Sequence, residues 1–228
     1  MTRRAGAEVD AYGMQECAIL TSLMNVPATS TLQNGIARTI SREDMANLPV
    51  RQYDGAVCLV TTPHDLARAL ADIRQEGVVG LDTETRPAFR KGESHLPCLV
   101  QVATADTVYL FQLRWPDVFP VLAELLAHQR IVKAGIGLAY DLHSLKQVFP
   151  FTAENVLDLG IVARRCGLEQ TGLRNLAGIL LGFRIPKGAR TTNWAAAQLS
   201  PKQITYAATD AWACRELFLR FQSLGLLE

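Results

Sequence analysis

Val78-Val79-Gly80-Leu81-Asp82-Thr83-Glu84-Thr85-Arg86-Pro87 begins as an unbroken apolar run and ends in two acids, an arginine and a proline. Its β-branched start and its length fit a buried strand. Strand side chains alternate between faces, so Asp82 and Glu84 share one face while Leu81, Thr83 and Thr85 take the other. Two carboxylates side by side at the end of an apolar strand each disfavour the other's ionisation. A solvated strand end relieves that cost, and so does a divalent cation such as Mg²⁺, which prefers carboxylate oxygens. The stretch by itself leaves both open.

Around this strand, 228 residues with 49% hydrophobic content suffice for one sizeable domain with a core. Residues 1–44 have weak periodicity and many Ser, Thr, Asn and Gly. They read as a poorly ordered N-terminal extension with a short helix near Glu16–Met24, leaving 45–228 as the folded domain. A net charge of +1 excludes a global basic field, so contact with a polyanion must come from local clusters or bound metal. Cys17, Cys58, Cys98, Cys166 and Cys214 are scattered and form no C-x-x-C pair. They argue against a zinc site or a disulfide framework and for reduced thiols in the cytoplasm. Glu8, Asp10 and Glu16 separate Arg3 and Arg4 from the apolar patch Cys17–Met24, and Thr21 and Ser22 interrupt that patch, a pattern that argues against a signal peptide; no run approaches membrane-spanning length.

The pattern predicts a mixed α/β domain. Val57–Val60 reads as a short strand, followed by a helix with Thr62 as N-cap and Pro63 in its first position. The Val78 strand, Cys98–Ala103 and Thr107–Gln112 form an expected antiparallel meander. Pro120–His128 reads as helix, Arg130–Ile136 as strand, Leu142–Val148 as helix and Val156–Leu159 as strand, an order that implies parallel pairing. The expectation is a five-stranded mixed core sheet flanked by helices. Leu173–Leu181 reads as a further helix. The last helix opens on Ser200-Pro201-Lys202-Gln203, a capping box with proline in its first position, and Gly225 stops it.

Three further features bear on chemistry. Gly135-Ile136-Gly137 follows a strand, but Tyr140 stands where a dinucleotide loop needs its third glycine, so close packing explains both glycines better. Asp141 fits either a helix N-cap or a third carboxylate at the carboxyl end of a strand, where α/β sheets collect ligands. Tyr206 and Asp210 are four residues apart at the edge of the last helix's apolar stripe. They fit a structural pair at a helix–sheet seam or a functional pair, since a half-buried acid needs a partner.

Taken together, Asp82, Glu84, Asp141 and Asp210 with Tyr206 resemble the DEDD family of 3′–5′ exonucleases, in its tyrosine subclass. Three blocks carry the resemblance: Leu81–Thr85, Gly135–Leu142 with Leu145, and Tyr206–Ala211. They stand in the family's order, Asp141 59 residues after Asp82 and Asp210 69 after Asp141, and the likeness spans about Leu48 to Leu227. Arg86-Pro87, Phe89 and the Lys187–Trp194 loop are more similar to the stand-alone, Werner-like branch than to RNase D, whose extra helical domains are not expected here. The N-terminal extension lies outside the likeness.

The resemblance implies a ribonuclease H-like fold and catalysis with two divalent ions, Mg²⁺ or Mn²⁺, acting on a phosphodiester at the 3′ end of DNA or RNA to release 5′-mononucleotides. It assigns Asp82, Glu84 and Asp210 to one ion, Asp82 with Asp141 to the other, and Tyr206 to orienting water. Its ordinary pKa, about 10, makes tyrosine a poor base.

Thr83, Arg86, Lys187 and Arg190 are candidate substrate contacts, with Arg90, Lys91 and Lys202 nearby, although a solvated loop surface explains each of the basic residues as well. Trp194 reads as a buried loop anchor in preference to a base-stacking platform. The rival function is a nucleic-acid binder or scaffold on the same fold. An aspartate-nucleophile phosphatase would require Asp at position 84. Nothing in the sequence selects DNA over RNA or reports an oligomeric state.

Overall fold

The computed structural model describes residue 32 and residues 35–90, 92–189 and 191–227. The short helix expected at Glu16–Met24 lies outside these residues, as do Lys91 and Arg190. The order of elements is α1 (Arg42–Asn47), β1 (Ala56–Val60), α2 (Pro63–Ile73), β2 (Val78–Thr85), β3 (Pro97–Ala103), β4 (Thr107–Gln112), α3 (Phe119–Ala127), β5 (Val132–Gly135), α4 (Leu138–Leu145), β6 (Val156–Asp158), α5 (Leu159–Arg165), α6 (Leu173–Leu176) and α7 (Pro201–Ser223).

The strands form one mixed sheet in the order β1-β4-β3-β2-β5-β6. The meander appears as expected, β2 and β4 both antiparallel to β3. On the other side of β2, β5 and then β6 pair in parallel. The sheet has six strands, not five. The short Ala56–Val60 segment joins it beside β4, in parallel and in register from Ala56–Thr107 to Val60–Phe111. The reason is the crossover through α2, which carries the chain over β3 and β4 and so leaves those two strands between β1 and β2. Thr62 and Asp65 cap α2 reciprocally, and Ser200 and Gln203 do the same for α7. Both starts were legible because a capping box is local chemistry.

The two faces of the sheet are covered differently. Leu81, Val100, Val102, Tyr109 and Phe111 pack with α2, α3 and α4 on one face. On the other, Leu99, Ala103, Val108 and Leu110 meet Ala207, Ala208 and Ala211 of α7. Small residues on α7 let its backbone approach β2 closely. A Cβ at Gly80 would lie 1.9 Å from the Ala211 carbonyl oxygen. Gly80→Ala is therefore expected to cost about 1–3 kcal/mol through overpacking, read as a lower urea midpoint. An unchanged midpoint would show that α7 does not need this approach.

Three local expectations are corrected. Helix α4 begins at Leu138, four residues before the expected Leu142, so Asp141 lies inside its first turn and is not its N-cap. Gly137 takes the capping position with φ +76°, a conformation that favours glycine, and nothing crowds it. Close packing holds only for Gly135, where a Cβ would lie 2.4 Å from the Leu81 carbonyl oxygen. The expected Leu173–Leu181 helix is α6 followed by a π-helical turn over Ala177–Leu181.

Candidate active site

Strand β2 delivers Asp82 and Glu84 to the face covered by α7, and α7 delivers Tyr206 and Asp210 to the same place. Carboxylate oxygens of Asp82, Glu84 and Asp210 all lie within 4.8 Å of one another. Glu84 and Asp210 are buried and Asp82 is half-buried. Three carboxylates in so small a volume have the oxygen donors and the charge that a hard divalent cation takes. The donor set fits such an ion.

Asp141 is not one of the carboxylates that lie within 4.8 Å of one another; it belongs to the other face, from which its charge acts on Asp82. Helix α4 packs on the Leu81 side of the sheet, and the Thr83 hydroxyl donates to Asp141 Oδ1 at 3.0 Å. Thr83, considered as a substrate contact, thus has its hydroxyl engaged with a candidate metal ligand. Asp158 fixes the start of α4, its Oδ2 accepting from the Leu138 N–H at 3.1 Å. Sequence reasoning passed over Asp158, because its role appears only once β6 and α4 are adjacent.

Electrostatics agree with the crowding. Burial, then the charges of Asp210, Glu84 and Asp141, push the Asp82 carboxyl well above the usual range. Burial lifts Asp141 to about 6, against the pull of its Thr83 hydrogen bond. Burial also lifts Asp210 to about 6, while the hydrogen bond from Tyr206 and the charge of Arg174 work the other way. Burial and the neighbouring acids raise the Tyr206 hydroxyl, which keeps its proton and donates a hydrogen bond to Asp210. The Cys214 thiol beneath the cluster is fully buried and raised, first by burial and then by Asp82, so it is not a nucleophile.

The carboxylates open into a groove of about 930 Å³ whose walls include Arg174, Asn175, Lys187, Gly188 and Tyr206. Lys187 is exposed there. Arg174 stands beside it and carried no sequence signal, since only the placement of α6 brings it near Asp210. Arg86 is exposed and is not among the groove residues. The Gly188 backbone lies against the Tyr206 ring, and Trp194, 1% exposed, stands with its ring centroid 6.0 Å away. Trp194 is thus the buried anchor of its loop.

Fold and site together define a class: an α/β domain that gathers carboxylates in cation-ligating geometry at the end of its central strand, under an open groove. The model of the 3′-5′ exonuclease domain matches residues 57–225, and the chain belongs to that family. Among its relatives, the mouse (Mus musculus) bifunctional 3′-5′ exonuclease/ATP-dependent helicase WRN is 30% identical over 190 residues, which are 78% of this chain and 14% of that protein. Ribonuclease D of Gluconacetobacter diazotrophicus is 33% identical over 165 residues, 70% of this chain and 41% of that one. The chain thus spans less than half the length of either relative. The Aedes aegypti Nibbler EXO domain shares the fold with a TM-score of 0.66 at 22% identity, covering 76% of this chain and 92% of that one.

Proposed function

We propose that this chain is a divalent-metal-dependent 3′–5′ exonuclease that shortens DNA or RNA from the 3′ end and releases 5′-mononucleotides. The observation that carries this reading is the convergence of Asp82, Glu84 and Asp210 within 4.8 Å, from segments far apart in sequence. Asp82, Glu84 and Asp210 would hold one Mg²⁺ or Mn²⁺, and Asp82 with Asp141 a second. When bound, such ions lower the pKa of water and stabilise the charge that builds on the leaving 3′-oxygen.

The chain's own groups do the positioning. Burial keeps the carboxylates in place without bulk water to compensate their charge, so cations are drawn to them. Tyr206 retains its proton and serves as a donor that orients, not as a base. Its ring is held by the loop backbone at Gly188 and by Trp194, which limits where the hydroxyl can point. Arg174 and Lys187 line the groove as cations for the phosphates of the strand being shortened.

The folded domain at 45–228 and a cytoplasmic setting belong to the same reading. Cys58, Cys98 and Cys214 are free thiols, which suits a reducing compartment. Among the described residues, no helix is long and apolar enough to cross a membrane.

End-labelled DNA and RNA, single-stranded and 3′-recessed, digested with Mg²⁺ or Mn²⁺, test the reading. Stepwise loss of 5′-mononucleotides from the 3′ end is expected, and none in EDTA. Binding without metal-dependent hydrolysis on any of these substrates would support the scaffold reading instead.

A further inference from the structure

Among the described residues, three glutamines are buried: Gln101, Gln112 and Gln203. Two have evident work. Gln112 Nε2 donates to the Ala196 carbonyl at 3.1 Å, and Gln203 Nε2 to the Asn193 carbonyl at 3.2 Å, each tying down the loop before α7. Gln101 is different. It is 0% exposed, and neither its Nε2 nor its Oε1 has a hydrogen-bond partner among the described residues.

Burying an unpaired amide forfeits its hydrogen bonds to water, so an apolar side chain of the same shape would be the better choice for stability alone. The surroundings sharpen the point. Along β3 its neighbours on the same face are Leu99 and Ala103, both fully buried. Across the sheet it stands opposite Leu110 on β4. On its other side it stands directly opposite Asp82 on β2. Residues directly opposite on antiparallel strands share a face, with Cβ atoms roughly 4.5–5.5 Å apart, within reach of a glutamine side chain.

Resting on the exonuclease reading above, we propose that Gln101 is a positioning residue for Asp82, donating from Nε2 to the Asp82 carboxylate when that carboxylate ligates metal. An ionised carboxylate offers about four acceptor sites and no donor. From the protein, the Asp82 carboxylate receives the Thr83 backbone N–H. A carboxylate that ligates a cation through one oxygen needs its other lone pairs fixed, and partners outside the ligand set supply this in metal sites. Gln101 is the uncommitted donor facing Asp82 across the sheet. It comes from β3, which the resemblance blocks do not include, and its rigid strand setting suits a group that must hold another in place.

Gln101→Met tests this, because it preserves size and removes the donor. Three quantities are compared with wild type: melting temperature in EDTA, Mn²⁺ affinity by calorimetry, and metal dependence of hydrolysis. The metal-free melting temperature is expected to hold or rise, since an unpaired amide is lost. Mn²⁺ affinity is expected to fall about 10–100-fold, with hydrolysis recovering as Mn²⁺ is raised. Leu110→Met, on the opposite side of Gln101, controls for altered packing and should leave Mn²⁺ affinity unchanged. Gln101→Asn, which keeps the amide but shortens its reach, should also lose affinity and serves if the methionine variant does not fold. A folded Gln101 variant with wild-type Mn²⁺ affinity overturns the proposal. So does a loss of affinity matched by Leu110→Met. A wild-type protein that fails to bind Mn²⁺ overturns the metal reading itself, a result distinct from either.

Discussion

Asp82→Asn is expected to abolish metal-dependent hydrolysis while making the metal-free protein more stable. The two effects have one cause. Asp82 stands at the centre of the carboxylates, raised by burial and by the charges of Asp210, Glu84 and Asp141. With no cation, each ionised neighbour adds repulsion, and an isosteric amide removes it. Denaturant melts in EDTA should therefore show a gain in stability over wild type. With metal the sign reverses. Asp82 is the residue proposed to bridge both ions, so the substitution should remove the Mg²⁺- or Mn²⁺-induced rise in melting temperature. Metal ions supply several kcal/mol of transition-state charge stabilisation, so hydrolysis should fall by roughly 10³-fold or more. A misfolded variant would lose activity and stability together, whereas this one should lose the first and gain the second. Hydrolysis surviving in a folded Asp82→Asn protein would sink the assignment.

The site was legible in the sequence to the extent that its chemistry is local. Asp82 and Glu84 sit two apart on a strand, so their shared face followed from the pleat. Tyr206 and Asp210 sit one turn apart on a helix whose capping box announced its start. What could not be read was how the elements meet. Asp141 carried a capping alternative because three residues of α4 precede it that the apolar pattern did not mark, and Gly137 took the cap. Thr83 sat on the opposite face from the acids by simple alternation. Its bond to Asp141 ties the strand that carries Asp82 and Glu84 to α4 on the far face. The sixth strand was legible as a strand but not as part of the sheet, because its pairing with β4 depends on a crossover length that periodicity does not report. Arg174 and Gln101 gave no signal at all. A basic residue on a short helix and an amide in a strand are ordinary until the fold puts one beside Asp210 and the other opposite Asp82.

Metal-free stability should fall as pH rises from about 4 to about 7, and added Mg²⁺ or Mn²⁺ should cancel that fall. Asp141 and Asp210 have folded-state pKa values of about 6, above the unfolded value near 3.8. Between those values the folded protein binds more protons than the unfolded chain, so stability is present in full below pH 4 and is lost as pH passes through 6. Each shift corresponds to something on the order of 3 kcal/mol, and mutual coupling makes the sum less than additive. Lys133 does not confuse this window. Burial lowers it to about 8, so its contribution changes only above that pH, and there stability rises with pH. Cations compete with protons for the same oxygens. The metal-induced rise in melting temperature should therefore be small at pH 5 and large at pH 8, and hydrolysis should share this acid limb. Asp141→Asn with Asp210→Asn should flatten both the EDTA curve and the metal response. A wild-type melting temperature in EDTA that stays level or climbs from pH 4 to 7 would mean that these carboxylates are not held against their charge, and the physical reason for a cation at the end of β2 would be gone.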